Sequence, residues 1–363
     1  MEKNKKKLIV FIPSIEDGGV EKNLFLILNY LSKKIKNIKL LTLNKNNKSF
    51  RSNIEIINPA INPSFIKGRY IKYLLCLAVL LRIIIFNKNY TVLSFQANIF
   101  VIILCKLFNV VVLSRSNSSS SGWSKNFFKH LIFSYYFKKA DKIIVNSLEF
   151  KKEMDNKYKI NSKCILNPFN FNVIKKKSKK KIKKIFKKSN LKLITIGRLT
   201  DQKDHITIIK AINFLEKKNI HLLIIGKGEK ENEINKYIVK NNLKNYITLI
   251  GYKKNPFPYL KASDIFLLSS KFEGSPNVLV EALFLKKYII STNCPTGPKE
   301  ILNNGRYGEL VNINDYKSIA NKISKFKYTN NIKKKVNLGY KSLKKYDYKK
   351  NCEEYYKLII KYL

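Results

Sequence analysis

The sequence of 363 residues is poor in acidic residues, cysteine, histidine and arginine. It contains 24 Asp and Glu against 72 Lys and Arg, with five Cys and three His. The cysteines are odd in number and widely spaced, which excludes a disulfide framework and fits a reducing, cytosolic compartment. The histidines, His130, His205 and His221, have no metal-ligand spacing, so no metal site is predicted.

Long hydrophobic runs are also missing. The apolar segment 8–12 follows the lysine-rich first residues and is too short for a signal peptide, so we interpret it as a β-strand. The most hydrophobic stretch, residues 73–86, is interrupted by Arg82 and falls short of the roughly 20 residues that span a bilayer. We interpret it as a helix that is buried in a core or leans on a membrane.

Lysine is what the sequence has in excess, and the formal net charge is +48. A charge of this size attracts anionic partners. Arginine, which forms bidentate hydrogen bonds with phosphate and guanine, occurs only six times. Lys, Asn and Ile are abundant, as an A/T-biased coding sequence would produce. We therefore favour composition bias and an anionic membrane surface over nucleic acid. A basic nucleic-acid-binding protein remains the alternative.

Short apolar strands alternate with helical stretches in two series. The predicted strands are 8–12, 38–43, 92–95, 110–114, 143–146 and 164–166, then 193–197, 221–226, 247–251, 265–269 and 288–292. Strands separated by helices indicate parallel βαβ units. We expect an α/β protein with Rossmann-like domains at 1–172 and 191–339. A Lys-rich linker at 173–190 would join them, and a C-terminal helix at 340–363 would pack back on the first domain.

Glu273 and Glu281 enclose a turn of small residues and the start of a helix. Gly274, Ser275 and Pro276 allow a sharp turn, and the N–H groups around Asn277 and Val278 would favour an anion at a helix N-terminus. Acids are scarce in this chain, so we expect both glutamates to face one cleft and to accept hydrogen bonds from hydroxyl groups.

Cations and glycines follow other strands of the second series. Arg198 comes directly after Gly197, and with Lys203 it could clamp a diphosphate from two sides. Gly226 ends the next strand, where it could form an ordinary tight turn or contact a phosphate or a base. Gly251 and Tyr252 end another, where a nucleobase contact and simple packing are both open.

The first series contributes a glycine pair and polar strand ends. Gly18 and Gly19 follow the first strand, where they would let a loop close over a ligand. Gln96, Arg115 and Asn117 follow later strands and are the candidates for acceptor binding, with strand-end capping as the alternative. Downstream, the loops 294–302 and 304–310 would complete the cleft wall, and Cys294 is expected to be a packed thiol.

Taken together, the glycine pair, the Gly197 to Lys203 segment, the glycine-ended strands and the Glu273 to Glu281 motif resemble the large retaining glycosyltransferase family four, which has the GT-B fold. The resemblance covers nearly the whole chain. The tract 294–302 and the segment 114–117 are similar to bacterial enzymes that extend lipid-linked oligosaccharides with a hexose or N-acetylhexosamine. The family often has a histidine where this chain has the run 94–96 (Ser, Phe, Gln).

The resemblance implies two facing domains and a role for each motif. Arg198 and Lys203 would bind the donor diphosphate, Glu281 the ribose hydroxyls, and Glu273 the transferred sugar. Gly197, Gly226, Gly251, Tyr252, Gly274, Ser275, Asn277, Val278, Gly18 and Gly19 complete the predicted donor site. Transfer would retain the anomeric configuration without a metal or other cofactor, and Glu273 would support an oxocarbenium-like state.

The expected partners are a nucleotide sugar, with UDP favoured, and a polyprenyl-diphosphate-linked glycan. The expected location is the cytoplasmic face of the inner membrane, in peripheral association. A nucleotide-sugar epimerase or an inverting transferase on the same architecture would lack glutamates at this spacing. A catalytically silent binding subunit is disfavoured by the presence of Arg198, Lys203, Glu273 and Glu281 together.

Overall fold

The computed structural model describes residues 7–15, 18–44, 53–60, 68–119, 127–182, 185–186, 191–215 and 219–363. The chain divides into two units. Unit 1 comprises Met1–Phe169 together with Tyr346–Leu363, and unit 2 comprises Asn170–Lys345. Every predicted site residue lies in the described ranges.

Unit 1 alternates strands and helices along the chain. Its elements are β1 (Lys7–Phe11), α1 (Gly19–Leu31), β2 (Ile38–Leu41), β3 (Ile54–Ile57), α2 (Arg69–Phe86), β4 (Tyr90–Ser94), α3 (Asn98–Leu107), β5 (Val111–Arg115), α4 (Phe127–Lys139), β6 (Lys142–Val145), α5 (Leu148–Tyr158), β7 (Lys163–Cys164) and, from the C-terminus, α14 (Tyr348–Ile359).

The strands of unit 1 form a parallel sheet in the order β3-β2-β1-β4-β5-β6-β7. Alternate residues of β1 point to opposite faces, so Leu8 and Val10 pack on one side with α1 and α14, while Ile9 and Phe11 pack on the other with α2 to α5. Burial of both faces explains the continuous apolar strands in the sequence.

Unit 2 repeats the pattern. Its elements are α6 (Phe171–Ser178), β8 (Leu191–Ile196), α7 (His205–Phe214), β9 (Ile220–Ile225), α8 (Glu231–Lys240), β10 (Ile247–Leu249), α9 (Phe257–Ala262), β11 (Ile265–Leu268), α10 (Asn277–Phe284), β12 (Tyr288–Thr292), α11 (Pro298–Ile301), β13 (Glu309–Val311), α12 (Tyr316–Ser324) and α13 (Asn330–Lys341).

The second sheet is also parallel, in the order β10-β9-β8-β11-β12-β13. Its core joins Leu193 and Ile265 of the central strands to Ile208 of α7 and Ile319 of α12. The strand order reverses between β8 and β11, which are neighbours in the sheet, so the carboxyl ends of these two strands lie side by side. Ligands of open α/β sheets bind at such a switch point. The α/β fold with two parallel sheets is confirmed.

Some element boundaries differ from those predicted. The segment 173–190 begins inside α6, because Ile174 is buried and the ring of Phe171 stacks on Phe284 with centroids 4.8 Å apart. A helix with an apolar face thus opens unit 2 where a linker was expected, and residues 183–184 and 187–190 lie outside the described ranges.

Two short strands and one helix break were not predicted. β3 pairs with β2, and β13, which begins at Glu309 within the expected loop 304–310, pairs with β12. Strands of three or four residues at a sheet edge are too short to show a period in sequence. The expected helix at 340–363 is interrupted before α14, where the Asp347 side chain accepts a hydrogen bond from the backbone N–H of Lys350.

None of the described helices combines the length and hydropathy needed to cross a membrane. The longest of the described helices, α2, buries Tyr73, Cys76, Leu80 and Ile84 in unit 1.

Candidate functional site

The predicted residues of unit 2 collect where β8, β9 and β11 end. Gly197 N donates a hydrogen bond to the carbonyl of Ile225 at 3.0 Å, and Gly226 N donates to the carbonyl of Gly251 at 3.1 Å. A Cβ on Gly226 would lie 1.9 Å from the carbonyl oxygen of Gly197. The close approach of these two backbones therefore requires glycine at position 226.

Lys203 and Glu273 form the charged centre of this edge. Lys203 Nζ lies 2.5 Å from Glu273 Oε1, and Ser270 Oγ donates to the same oxygen at 2.6 Å. The side chains of Lys203 and Glu273 are only 16% and 8% exposed. A pair this buried is held by charge-assisted hydrogen bonds with little screening by water.

Neutral side chains hold the two loops of the pair together. Ser269 Oγ lies 2.9 Å from the carbonyl oxygen of Lys203 and 2.7 Å from that of Asp204. Gln202 Nε2 donates to the carbonyl of Phe272 at 2.9 Å. These contacts fix the position of the lysine relative to the glutamate.

A second loop supports the backbone of Glu273. Glu273 N donates to the carbonyl of Pro295 at 2.7 Å, and Thr296 N donates to the carbonyl of Glu273 at 3.3 Å. Gly297 has φ +94°, and a Cβ there would lie 2.6 Å from the carbonyl of Gly274. Residues of the 294–302 loop therefore form part of the same structure as the Glu273 turn.

Helix α10 begins immediately after this turn. Asn277 is its first residue, Val278 follows, and Gly274 and Ser275 are buried in the preceding turn. Pro276, at the N-cap position, provides no side-chain hydrogen bond to the first turn. Glu281 lies one turn into the helix and is 2% exposed. The helix N-terminus expected to favour an anion is thus present in the structure.

The remaining predicted donor residues lie at the surface of the same edge. Arg198 is exposed, and Tyr252 is 40% exposed with Lys227 Nζ 5.4 Å from its ring centroid. Lys203 is paired with Glu273 in this structure, so the diphosphate clamp of Arg198 and Lys203 stays a prediction.

His205 lies under Lys203 and Gly197. A Cβ on Gly197 would be 3.6 Å from His205 Cε1 and equally far from Lys203 Cδ. Burial, and secondarily the charge of Lys203, lower the pKa of His205 to about 3. The imidazole is therefore neutral, and within the described residues its Nδ1 has no hydrogen-bond partner.

Cys294 lies beside the same cluster. Burial, with a smaller effect of Glu273, raises its pKa to about 12. A thiol with this pKa is protonated at neutral pH and is a poor nucleophile.

In unit 1 the glycine pair opens helix α1. Gly18 is the N-cap residue, and a Cβ on it would lie 2.7 Å from the Oε2 of Glu21, so the glutamate folds back over the helix start. Gly19 is the first residue of α1 and is exposed. An acidic side chain in a first turn is stabilised by the helix dipole.

The acceptor candidates make internal contacts in unit 1. Gln96 exchanges hydrogen bonds with the backbone of Ser14, at 3.2 and 3.0 Å. Asn117 Nδ2 donates to the carbonyl of Phe95 at 3.0 Å. These contacts favour roles in holding strand ends, and acceptor binding by Gln96 and Asn117 stays a prediction.

Arg115 is fully buried. Its Nε donates to Tyr355 Oη at 2.7 Å, one terminal nitrogen donates to Asn167 Oδ1 at 2.7 Å, and the other donates to Asn117. The guanidinium also lies 5.3 Å from the ring centroid of Phe95. Its burial and hydrogen bonds favour a structural role for Arg115 and not acceptor binding. In that role it links β5 to α14.

Several residues of the centre were not predicted from sequence. Ser269 and Ser270 directly follow β11, and Gln202 and Thr296 lie in loops. In sequence, such residues cannot be told apart from ordinary capping residues. The paired serines at the end of a buried strand were the available indication. Within the part of the chain described, no three His, Cys, Asp or Glu side chains lie together as metal ligands would.

Comparison with known sequences shows similarity to glycosyltransferases. Residues 176–345 match the family described as Glycosyl transferases group 1. An uncharacterised glycosyltransferase of Methanocaldococcus jannaschii is 35% identical over 218 residues, which are 56% of this chain and 54% of that protein. The chain thus spans about half the length of that relative.

Another relative aligns along most of both chains. It is the N-acetylgalactosamine-N,N'-diacetylbacillosaminyl-diphospho-undecaprenol 4-alpha-N-acetylgalactosaminyltransferase of Campylobacter jejuni, 26% identical over 333 residues, or 86% of this chain and 88% of that protein.

Solved structures resemble the fold over nearly its full length. Anabaena HepE, crystallised with UDP-glucose, has a TM-score of 0.78 at 15% identity, covering 98% of this chain and 99% of its own. Sucrose-phosphate synthase of Thermosynechococcus elongatus has a TM-score of 0.79 at 13% identity, covering 98% of both chains. The expected GT-B fold is confirmed.

Proposed function

We propose that this chain, whose residues 176–345 match the group 1 glycosyltransferases, transfers a hexose or N-acetylhexosamine from a UDP-sugar to a lipid-linked glycan, with retention of anomeric configuration. The observation that carries the proposal is the buried pair of Lys203 and Glu273 at the ends of two neighbouring strands. It places a cation and a carboxylate beside the N-terminus of α10, where a sugar diphosphate needs both.

The donor diphosphate binds at the cationic side of this centre. Lys203 and Arg198 supply positive charge, and the N-terminus of α10 at Asn277 and Val278 adds the positive end of the helix dipole. Together they stabilise the negative charge that grows on the leaving diphosphate, so the proposed reaction requires no divalent cation.

The nucleoside part of the donor lies along the strand ends. Glu281 accepts hydrogen bonds from the ribose hydroxyls, and the base lies near Gly251 and Tyr252. Because Gly197 and Gly226 have no side chains, their backbones lie in close contact and leave space for the nucleotide beside them. Support for UDP comes from HepE, whose crystals contain UDP-glucose.

Glu273 acts on the transferred sugar. In the proposed route the bond from the anomeric carbon to the diphosphate oxygen breaks, and the acceptor hydroxyl oxygen bonds to that carbon on the same face. The departing phosphate takes the acceptor proton. Glu273 positions the sugar and stabilises the oxocarbenium-like state, while Lys203 and Ser270 hold its carboxylate in place.

The acceptor is a glycan on a polyprenyl diphosphate. The Campylobacter jejuni relative is named for a diphospho-undecaprenol acceptor, and it aligns with 86% of this chain. An acceptor anchored in a bilayer requires an enzyme that works at the membrane surface, and the net charge of +48 favours an anionic one. We place the enzyme on the cytoplasmic face, in peripheral association.

A screen of nucleotide sugars on the purified full chain tests the proposal. UDP, GDP, ADP and dTDP sugars are each incubated with and without undecaprenyl-diphosphate-linked acceptors, and nucleotide release is measured with and without EDTA. We expect UDP release that depends on acceptor and resists EDTA, and an α-linked product from an α-linked donor by NMR.

Other outcomes would contradict specific parts of the proposal. A β-linked product overturns retention, and loss of turnover in EDTA overturns metal independence. Conversion of a UDP-sugar to its epimer without transfer would identify the epimerase alternative. No nucleotide release with any pair, combined with salt-sensitive DNA binding, would identify the nucleic-acid alternative.

A further inference from the structure

Helix α4 is apolar on two opposite sides. Its inner side carries Phe137, which is buried, and His130, whose ring stacks on Tyr158 of α5. Its outer side carries five large exposed residues with the spacing of one helix face: Phe127, Phe128, Leu131, Ile132 and Tyr135. A helix with apolar residues on opposite sides belongs in a core or at a membrane, yet the described residues of unit 1 leave these five side chains of α4 exposed.

Two neighbouring helices extend this exposed apolar surface. The core that contains Phe137 of α4 also contains Cys76 of α2 and Val101 of α3, so the three helices lie on the same side of the sheet. We call their exposed apolar residues the α2–α4 surface. It comprises Tyr70, Ile71, Leu74, Ile85 and Phe86 of α2, Phe100 and Leu107 of α3, and the five residues of α4.

The rest of unit 1 has almost no such residues. Outside the α2–α4 surface, the described residues of unit 1 include two exposed large apolar side chains, Leu148 and Ile360. Scattered exposed apolar residues are normal for a folded protein, whereas twelve on one side indicate a surface that binds something.

The charge of these helices identifies the partner. Basic residues number three in α2, one in α3 and three in α4, and the three helices contain no Asp or Glu. The last turn of α4 carries Lys138 and Lys139 on the side that bears Leu131 and Tyr135, and Lys139 Nζ lies 5.5 Å from the Tyr135 ring centroid. Apolar side chains beside lysines match the boundary between acyl chains and anionic headgroups.

We propose that the α2–α4 surface is the face by which this protein docks on an anionic lipid bilayer, with α4 lying in the headgroup region. The inference rests on the proposed function, since a membrane-bound acceptor is what makes docking useful, and it names the residues involved. A second copy of the chain is disfavoured as the occupant, because two surfaces carrying only positive charge would repel each other.

Binding to vesicles tests the docking surface without acceptor or nucleotide sugar. The full chain is sedimented with vesicles of phosphatidylcholine alone or mixed with phosphatidylglycerol. We expect strong preference for the anionic vesicles. Phe128→Ser with Leu131→Ser should weaken partitioning by about tenfold or more, because two anchoring side chains are lost.

A matched pair in unit 2 controls for the loss of exposed apolar residues. Phe214 and Val239 are 57% and 51% exposed, against 73% and 49% for Phe128 and Leu131. Phe214→Ser with Val239→Ser should leave vesicle binding unchanged. Lys138→Gln with Lys139→Gln should reduce the preference for anionic vesicles and the sensitivity to salt, while leaving the residual binding to neutral vesicles intact.

The docking surface would be overturned if the two double serine variants lost vesicle binding to the same extent, or if neither lost any. The proposal would also be overturned if sedimentation velocity showed a dimer, and if Phe128→Ser with Leu131→Ser dissociated that dimer without weakening vesicle binding. A short-chain, water-soluble acceptor separates this inference from the proposed function. Vesicle binding without transfer to any acceptor contradicts the function alone, and transfer without vesicle binding contradicts the docking alone.

Discussion

Lys203 Nζ lies 2.5 Å from Glu273 Oε1, although the two residues are 70 positions apart in the chain. Lys203 belongs to the loop after β8 and Glu273 to the turn after β11, and these two strands are neighbours in the sheet. The pairing of β8 with β11 therefore assembles the charged centre. Any change that shifts this strand pair will displace the lysine from the glutamate.

Replacement of Glu273 by Gln separates sugar activation from donor binding. The amide keeps the shape but removes the negative charge that we assign to the oxocarbenium-like state, so kcat should fall by about 10²-fold or more. The Kd for the UDP-sugar, measured by calorimetry, should change by less than about threefold. Unchanged turnover would remove Glu273 from the proposed mechanism.

Lys203 and Glu273 should be coupled in a double-mutant cycle of stability. Lys203→Gln leaves a mostly buried carboxylate whose Oε1 keeps, among the described residues, the hydrogen bond from Ser270. Removal of one member of such a pair costs about 3–5 kcal/mol. The Lys203→Gln, Glu273→Gln double variant should lose less than the sum of the single losses. Additive losses in urea unfolding would show that the pair contributes no coupling.

Gly226→Ala should disturb the donor side of unit 2. Its Cβ would lie 1.9 Å from the Gly197 carbonyl oxygen, so the strand ends must separate, and UDP binding and thermal stability should both decrease. Gly251→Asn provides the stability control, because nothing lies within 4 Å of that Cβ position and Asn tolerates its φ of +67°. Equal changes in melting temperature would contradict the steric argument.

His205 should make unit 2 less stable in acid. Above pH 6.5, its ordinary pKa, the imidazole is neutral in both states and contributes no pH dependence. As the pH falls from 6.5 toward about 3, only the unfolded chain takes up the proton, so the unfolding free energy drops by up to about 1.4 kcal/mol per pH unit. His205→Gln should flatten this part of the profile in urea titrations, and an unchanged slope would contradict it.

Tyr355→Phe tests the structural role of Arg115. The phenol accepts the hydrogen bond of Arg115 Nε at 2.7 Å inside unit 1, and its loss leaves a charged donor buried without that acceptor. We expect a loss of about 1–3 kcal/mol in urea unfolding. Tyr356→Phe, on the half-buried side of the same helix, should cost less than about 0.5 kcal/mol. Equal costs would argue against a structural role of this hydrogen bond.

The parts of the fold that depend on local pattern could be predicted from sequence. Buried parallel strands are continuous apolar runs, so β8, β9 and β11 stand out, and the turn at 274–276 with its small residues marks the start of α10. Edge strands β3 and β13 were missed because three or four residues carry no measurable period. The lysines after residue 174 concealed α6, since charge masked its short apolar face.

The candidate site was predictable in its members but not in its contacts. Glycines and cations after strand ends indicated the carboxyl edge of the sheet, where ligands of such folds bind. Sequence could not show that Lys203 contacts Glu273, or that Ser270 shares the same carboxylate oxygen. The position of Arg115 after a strand, which suggested acceptor binding, fits a buried structural guanidinium equally well. Its contacts with Asn167 and Tyr355 favour the structural role.

The sequence by itself determined the α/β class, the family resemblance and the positive charge, because these follow from local periodicity, motif spacing and composition. The tertiary structure decided which side chains meet and which apolar faces stay uncovered. Lys203 meets Glu273 through the pairing of β8 with β11, and the outer face of α4 is exposed because no other element of the described unit 1 covers it. Both outcomes depend on long-range packing, which no local pattern specifies.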